Sequence, residues 1–185
     1  QKILSMRKLI LLCLSAGIVF LANAQSGDPE TQYMKEHYDK LEYRIPMRDG
    51  AKLFTLVYMP KDKTQTYPIL MNRTCYNAST YGGFNTHGHP SKYLVHDGYI
   101  LVFQDVRGRY MSDGVFNNMT PNIPGNDPTN KKDVDESSDT WDSIDWMVNN
   151  LAGNNGKVGI YGISYPGFYS AASLPDAHPA LKAVS

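Results

Sequence analysis

Cysteine is nearly absent from this chain, and what little there is excludes a disulfide scaffold. Only Cys13 and Cys75 occur among its 185 residues. Cys13 falls in a segment expected to be removed, which leaves Cys75 as a lone thiol with no intramolecular partner. An excess of either charge is also missing. Lys and Arg number 18, as do Asp and Glu, so nothing argues for nucleic acid or an anionic membrane surface as partner. No apolar run reaches the ~20 residues of a membrane-spanning helix. Repeats and low-complexity tracts are lacking too. With 42% hydrophobic and 19% charged residues, the composition is that of a globular protein with one domain core.

The amino-terminal region reads as a signal peptide over residues 6–24. Met6-Arg7-Lys8 supplies a positive start, Leu9–Leu21 an apolar stretch, and Ala22-Asn23-Ala24 a small-x-small cleavage site. Gln25 would then open a mildly acidic mature chain, secreted or periplasmic. A lipid-modified Cys13 is disfavoured, because Ile10, Leu11 and Leu12 precede it where small residues are required. Gln1–Ser5 read as upstream translated sequence before the initiator Met6.

Residues 25–43 read as an arm. Asp28 suits a helix N-cap and Pro29 a first helical residue, which predicts a short helix through about Asp39. Met47-Arg48-Asp49-Gly50 is the turn of a hairpin between strands Glu42–Pro46 and Lys52–Tyr58. Ile69–Asn72 and Tyr99–Gln104 are short apolar runs suited to parallel strands covered on both faces, with a helix around Ser91–His96 between them. Asp139 is expected to cap a helix whose face is Trp141, Ile144, Val148 and Leu151. Asp135, Asp139, Asp142 and Asp145 read as a solvated helix start, and the acids from Asp133 to Asp139 lack the spacing of a calcium loop. Asn117–Lys132, rich in Asn, Pro and Gly, reads as a long surface loop. Lys157–Tyr161 is a further buried strand, and Phe168–Leu174 a helix.

Between that strand and helix lies Gly162-Ile163-Ser164-Tyr165-Pro166-Gly167. It reads as a nucleophile elbow of the α/β-hydrolases, whose general pattern is G-x-S-x-G: buried strand, strained turn with an exposed serine, helix. Glycines give room where the chain crowds itself around a left-handed serine. Pro166 is harmless in the first helical turn. The helix would aim its free N–H groups and positive dipole end at an oxyanion formed on Ser164.

Four more blocks stand in order before it. They are Ile45-Pro46-Met47-Arg48-Asp49-Gly50, Asn72-Arg73-Thr74-Cys75-Tyr76, Gln104–Gly114 and Asp139–Trp146. With the elbow, they resemble the amino-terminal half of the X-Pro dipeptidyl-peptidase-like superfamily, closest to its α-amino-acid ester hydrolase, cocaine esterase and glutaryl acylase branch. The resemblance runs from about Tyr38 to Ser185. In that family the elbow is G-x-S-Y-x-G. The resemblance implies Ser164 as the acyl-accepting nucleophile, the Tyr165 backbone N–H as one oxyanion donor and the Tyr76 hydroxyl as the other. The family commonly has proline where Cys75 stands, so Cys75 reads as a small buried spacer. Arg107, Arg109 and Asp113 are expected to tie loops together rather than to bind substrate.

A catalytic histidine and its acid follow the serine in this fold. His178, the only histidine after Ser164, lies in a turn at the far end of the elbow helix and points away. The expectation is therefore an α/β chain of α/β-hydrolase fold: the amino-terminal part of a doubly wound, mostly parallel sheet, truncated after the elbow helix. Residues 44–185 would be a partial catalytic domain, inactive alone. The implied activity is a secreted serine hydrolase of esters or amides, most specifically of α-amino acids. An X-Pro dipeptidyl-peptidase or a non-catalytic envelope binding module are the alternatives. No metal or organic cofactor is implied. The expected partner is a small-molecule ester, amide or short peptide, without nucleic acid or stable membrane anchor, and homo-oligomerisation is left open.

Overall fold

The computed structural model describes residues 28–81, 92–125 and 129–185. The expected signal peptide, Cys13, His87 and His89 lie outside them. Among the described residues no helix is long and apolar enough to cross a membrane.

Helix α1 (Pro29–His37) starts as its sequence dictates, with the Asp28 carboxylate accepting the Thr31 N–H at 3.0 Å and Pro29 in the first turn. It runs directly into β1 (Tyr38–Pro46), which starts earlier than the expected Glu42. Tyr38 explains the difference: it pairs with Pro60 across the hairpin, and its buried hydroxyl donates to the Val95 carbonyl at 2.7 Å. The chain reverses over residues 47–51, with Gly50 at φ 91, into β2 (Lys52–Pro60). Gly50 N–H closes the turn on the Met47 carbonyl, and the Asp49 carboxylate accepts the Ala51 N–H.

The remaining strands are β3 (Tyr67–Thr74), β4 (Ile100–Asp105), β5 (Asn154–Ile160) and β6 (Leu181–Val184). They form one sheet in the order β1-β2-β4-β3-β5-β6. Strands β4, β3, β5 and β6 run parallel, while β1–β2 and β2–β4 are antiparallel. Because strand side chains alternate, each buried strand feeds two cores. Leu53, Val57, Ile69, Met71, Ile100 and Val102 face one side. Phe54, Leu56, Tyr58, Leu101 and Phe103 face the other. Helix α4 (Glu136–Asn150) covers the first side with Ile144 and Met147, followed by Leu151. Helices α1, α2 (Ala78–Tyr81) and α3 (Lys92–Asp97) cover the second through Met34, Ala78 and Val95. Burial on both faces accounts for the unbroken apolar runs of β2 and β4. Helix α5 (Tyr165–Ala172) follows β5 and seats Tyr169 against Cys75 and Val106, which makes Cys75 the buried spacer expected of it.

Two expectations about α4 are corrected. Its N-cap is Asp135, not Asp139: the Asp135 carboxylate accepts the Ser138 N–H at 2.7 Å and the Ser138 hydroxyl accepts the Asp135 N–H at 2.8 Å. The acids of its first turns are also not solvated. Asp135 and Asp139 are only 5% and 2% exposed. Asp139 is drawn inward by Arg107, whose guanidinium donates to both carboxylate oxygens at 2.7 and 3.0 Å. Asp142 likewise pairs with Arg48 at 2.7 Å. Arginines from distant loops, not water, neutralise this helix start.

Candidate active site

The backbone after β5 stays tied to the sheet. Tyr161 N–H donates to the Met71 carbonyl at 3.1 Å, Gly162 N–H to the Ser185 carbonyl at 3.0 Å, and the Asn72 amide to the Tyr161 carbonyl at 2.9 Å. The chain must then turn sharply to start α5, and Ser164 takes the strain at φ 61 and ψ −123. Such a turn brings Gly162 against Pro166, and a Cβ on Gly162 would collide with the Pro166 carbonyl. The sequence departs from G-x-S-x-G in one place: Pro166 occupies the position of the second glycine and Gly167 follows it. A Cβ on Gly167 would stand 3.3 Å from the Gly162 oxygen, so Gly162 is the stricter requirement.

Ser164 holds the N-cap position of α5, yet its side chain makes no capping bond. The first bond closing the helix is Phe168 N–H to the Ser164 carbonyl at 3.1 Å. The Tyr165 and Gly167 N–H groups precede it, at the positive end of the helix dipole and without a helical acceptor.

Ser164 opens on a pocket of about 320 Å³ lined by Asn72, Thr74, Tyr76, Tyr161, Ile163 and Pro166 besides itself. The structure thus brings Ser164 and Tyr76 to one cavity, and none of its lining residues carries a charge. Burial pushes the Tyr161 phenol well above its ordinary range, so it stays protonated. Tyr76 follows β3, where its N–H donates to the Thr74 hydroxyl at 2.9 Å. Its ring meets the edge of Tyr165, with centroids 6.3 Å apart. The Tyr165 phenol is held by the Asn118 side chain and accepts the Met119 N–H at 3.3 Å. Thr74 lay inside a block already singled out in the sequence, but Asn118 and Met119 had no local signal. A larger cavity, about 620 Å³, is lined by Tyr67 and Gly153 at the opposite ends of β3 and β5, away from Ser164.

The described histidines are engaged elsewhere. His178 has Nε2 3.5 Å from an Asp145 oxygen, its ring against Trp141, and Nδ1 accepting the Ala180 N–H. His37 and His96 both stack on Tyr33. None lines the Ser164 pocket. Arg107, Arg109 and Asp113 tie loops, as expected. Arg107 bridges Asp49 and Asp139, Arg109 donates to the Cys75 carbonyl, and Asp113 accepts from Arg44 and the Lys52 N–H. Among the described residues no group of three or more His, Cys, Asp or Glu side chains could hold a metal ion.

A strained serine between the carboxyl end of a parallel strand and a helix, set in this sheet order, makes the molecule an α/β-hydrolase. More narrowly, the chain belongs to the X-Pro dipeptidyl-peptidase (S15) family, whose profile matches residues 49–185. Cocaine esterase of Rhodococcus sp. (strain MB1 Bresler) is 30% identical over 141 residues, covering 76% of this chain and 22% of that protein. An α-amino acid ester hydrolase structure is 42% identical with a TM-score of 0.68, over 80% of this chain and 25% of that one. An aminopeptidase from a marine sediment Thaumarchaeota archaeon is 36% identical with a TM-score of 0.70, over 86% of this chain and 26% of that one. The chain spans about a quarter of the length of these relatives.

Proposed function

We propose that this chain carries the nucleophile of a secreted serine hydrolase that cleaves ester or amide bonds through an acyl-enzyme at Ser164. The carrying observation is the Ser164 side chain, free of capping duty, on one pocket with the Tyr76 ring. Ser164 Oγ attacks the substrate carbonyl carbon and gives its proton to a general base, which no described residue supplies at this pocket. The negative charge moves to the carbonyl oxygen, which accepts hydrogen bonds from the Tyr165 N–H and the Tyr76 hydroxyl. Collapse expels the protonated alcohol or amine, and water then releases the acid from Ser164. Likeness to an esterase, an α-amino acid ester hydrolase and an aminopeptidase supports esters or amides of α-amino acids as substrates. The family description keeps proline-specific dipeptide release as the second reading. A non-catalytic binding module has no physical need of a strained elbow.

The test is a fluorophosphonate probe on the full-length protein. Ser164→Ala is expected to abolish both labelling and turnover, and labelling that survives it places the nucleophile elsewhere. Export follows from residues 6–24. The mature protein is expected to begin at Gln25, in periplasm or medium, and an intact mass retaining Met6 would overturn that.

A further inference from the structure

We infer that Arg109 is the positioning residue for the Tyr76 hydroxyl and acts through the Cys75–Tyr76 peptide, an inference that rests on the oxyanion role proposed for Tyr76. That peptide unit is held from both sides. Its carbonyl, on Cys75, accepts from Arg109 Nε at 3.1 Å. Its N–H, on Tyr76, donates to the Thr74 hydroxyl at 2.9 Å. The next polar groups along the chain are also fixed: Asn77 sits at φ 80 and the Ala78 N–H donates to the buried Asp105 carboxylate at 2.6 Å. Rotating the 75–76 peptide plane would break one bond or the other.

Arg109 is itself aimed. Its guanidinium lies 5.1 Å from the Tyr110 ring centre and 4.9 Å from that of Phe116, which suits a planar cation between aromatic faces. Gly108 makes this approach feasible, since a Cβ there would collide with the Phe116 backbone. Tyr76 is half-exposed, and the peptide at its base sets the direction in which the side chain leaves the backbone. The phenol oxygen stands far enough from Cα that a 10° tilt of the backbone moves it about 1 Å, a misplacement able to cost on the order of 10²-fold in rate.

A loop tie and a positioning residue differ in one measurable way. If Arg109 serves the Tyr76 hydroxyl, its loss matters only while that hydroxyl is present. In the full-length protein, Arg109→Met is expected to lower kcat roughly 10- to 100-fold on a p-nitrophenyl ester, with KM changed less than about twofold. In a Tyr76→Phe background the same substitution should change kcat less than about twofold. Equal losses in the two backgrounds, or a loss confined to KM, would overturn the inference. Should Arg109→Met show no cooperative thermal transition, Thr74→Val takes its place in the same cycle with the same two results, since it removes the acceptor on the other side of the peptide. Retained turnover in Ser164→Ala refutes the proposed function itself. An inactive Ser164→Ala with additive Arg109 and Tyr76 losses refutes only this positioning role.

Discussion

Ser164 stands where a helix normally asks a serine hydroxyl to accept the N–H two or three residues on, and it declines. Its φ of 61 turns the side chain out of capping geometry and into the pocket, so strain and chemical availability are one fact at this residue. Tyr76 is the complementary case, an ordinary loop tyrosine by composition that becomes a candidate donor because β3 delivers it to the same cavity. Tyr76→Phe keeps the ring and removes one donor. The expected outcome is a loss mainly in kcat, on the order of 10²-fold or more, read from steady-state kinetics of the full-length protein. A change in KM alone would make the hydroxyl a substrate contact instead. The sequence singled out Ser164 by an elbow pattern after a buried strand and Tyr76 chiefly by the family resemblance of the block around it, and the structure brings the two to one cavity. Thr74 and Arg109 were not legible in these roles. Their work is a bond to backbone, and the Arg109 bond joins residues 34 apart in the chain, a separation that no local pattern reports.

At the scale of elements, the parallel strands and the hairpin were readable from apolar runs and one Asp-Gly turn, but the start of α4 was not. Several acids there could each serve as cap, and the choice fell to Asp135 because Arg73 and Arg107 claim the others. Arg73 is fully buried beneath α4 and donates to the Glu136 carbonyl, the Glu136 carboxylate and the Thr140 hydroxyl, while its Nε reaches Gln104. Burial raises the Glu136 carboxyl above its ordinary range despite that arginine. The end of β4 offers a cleaner test. Burial pushes the Asp105 carboxyl up as well, against the Ala78 and Met111 N–H groups that favour its ionised form. A raised value means that the folded state binds the proton more tightly than the unfolded chain. Its contribution is complete below the unfolded value and is lost as pH rises through the folded one. Asn at 105 keeps an acceptor and has nothing to titrate. Stability of the native sequence relative to Asp105→Asn should therefore increase as pH falls from 7 toward about 4, followed by urea unfolding across that range. A difference that is flat or shrinks on acidification would contradict the assignment to burial.

For the whole molecule, the order strand, helix, strand, helix, strand, elbow gave the fold class before any coordinates, because each buried strand needs cover on both faces and each helix supplies one side. What sequence order left open was how the hairpin joins the sheet, since β2 lies against β4 and not against its successor β3. The same view bears on activity. The pocket that holds Ser164, the proposed nucleophile, and Tyr76, one of the two proposed donors, is lined by no described histidine, so the 185-residue chain produced alone is expected to hydrolyse p-nitrophenyl acetate no faster than its Ser164→Ala form. Loss of triad function costs about 10⁶ in kcat where it has been dissected. Serine-dependent turnover by this chain would mean that it contains its own base, and His178 would be the first to re-examine. The outer strand β1 has a quieter consequence. Asp39, Lys40, Glu42 and Arg44 project from it exposed, and Pro46 closes it without an N–H. A stray strand from a neighbouring molecule that tried to extend the sheet on this side would have to match mixed charges in register and meet a missing donor at the end. The hairpin thereby presents an outer edge poorly suited to strand addition by a neighbouring molecule.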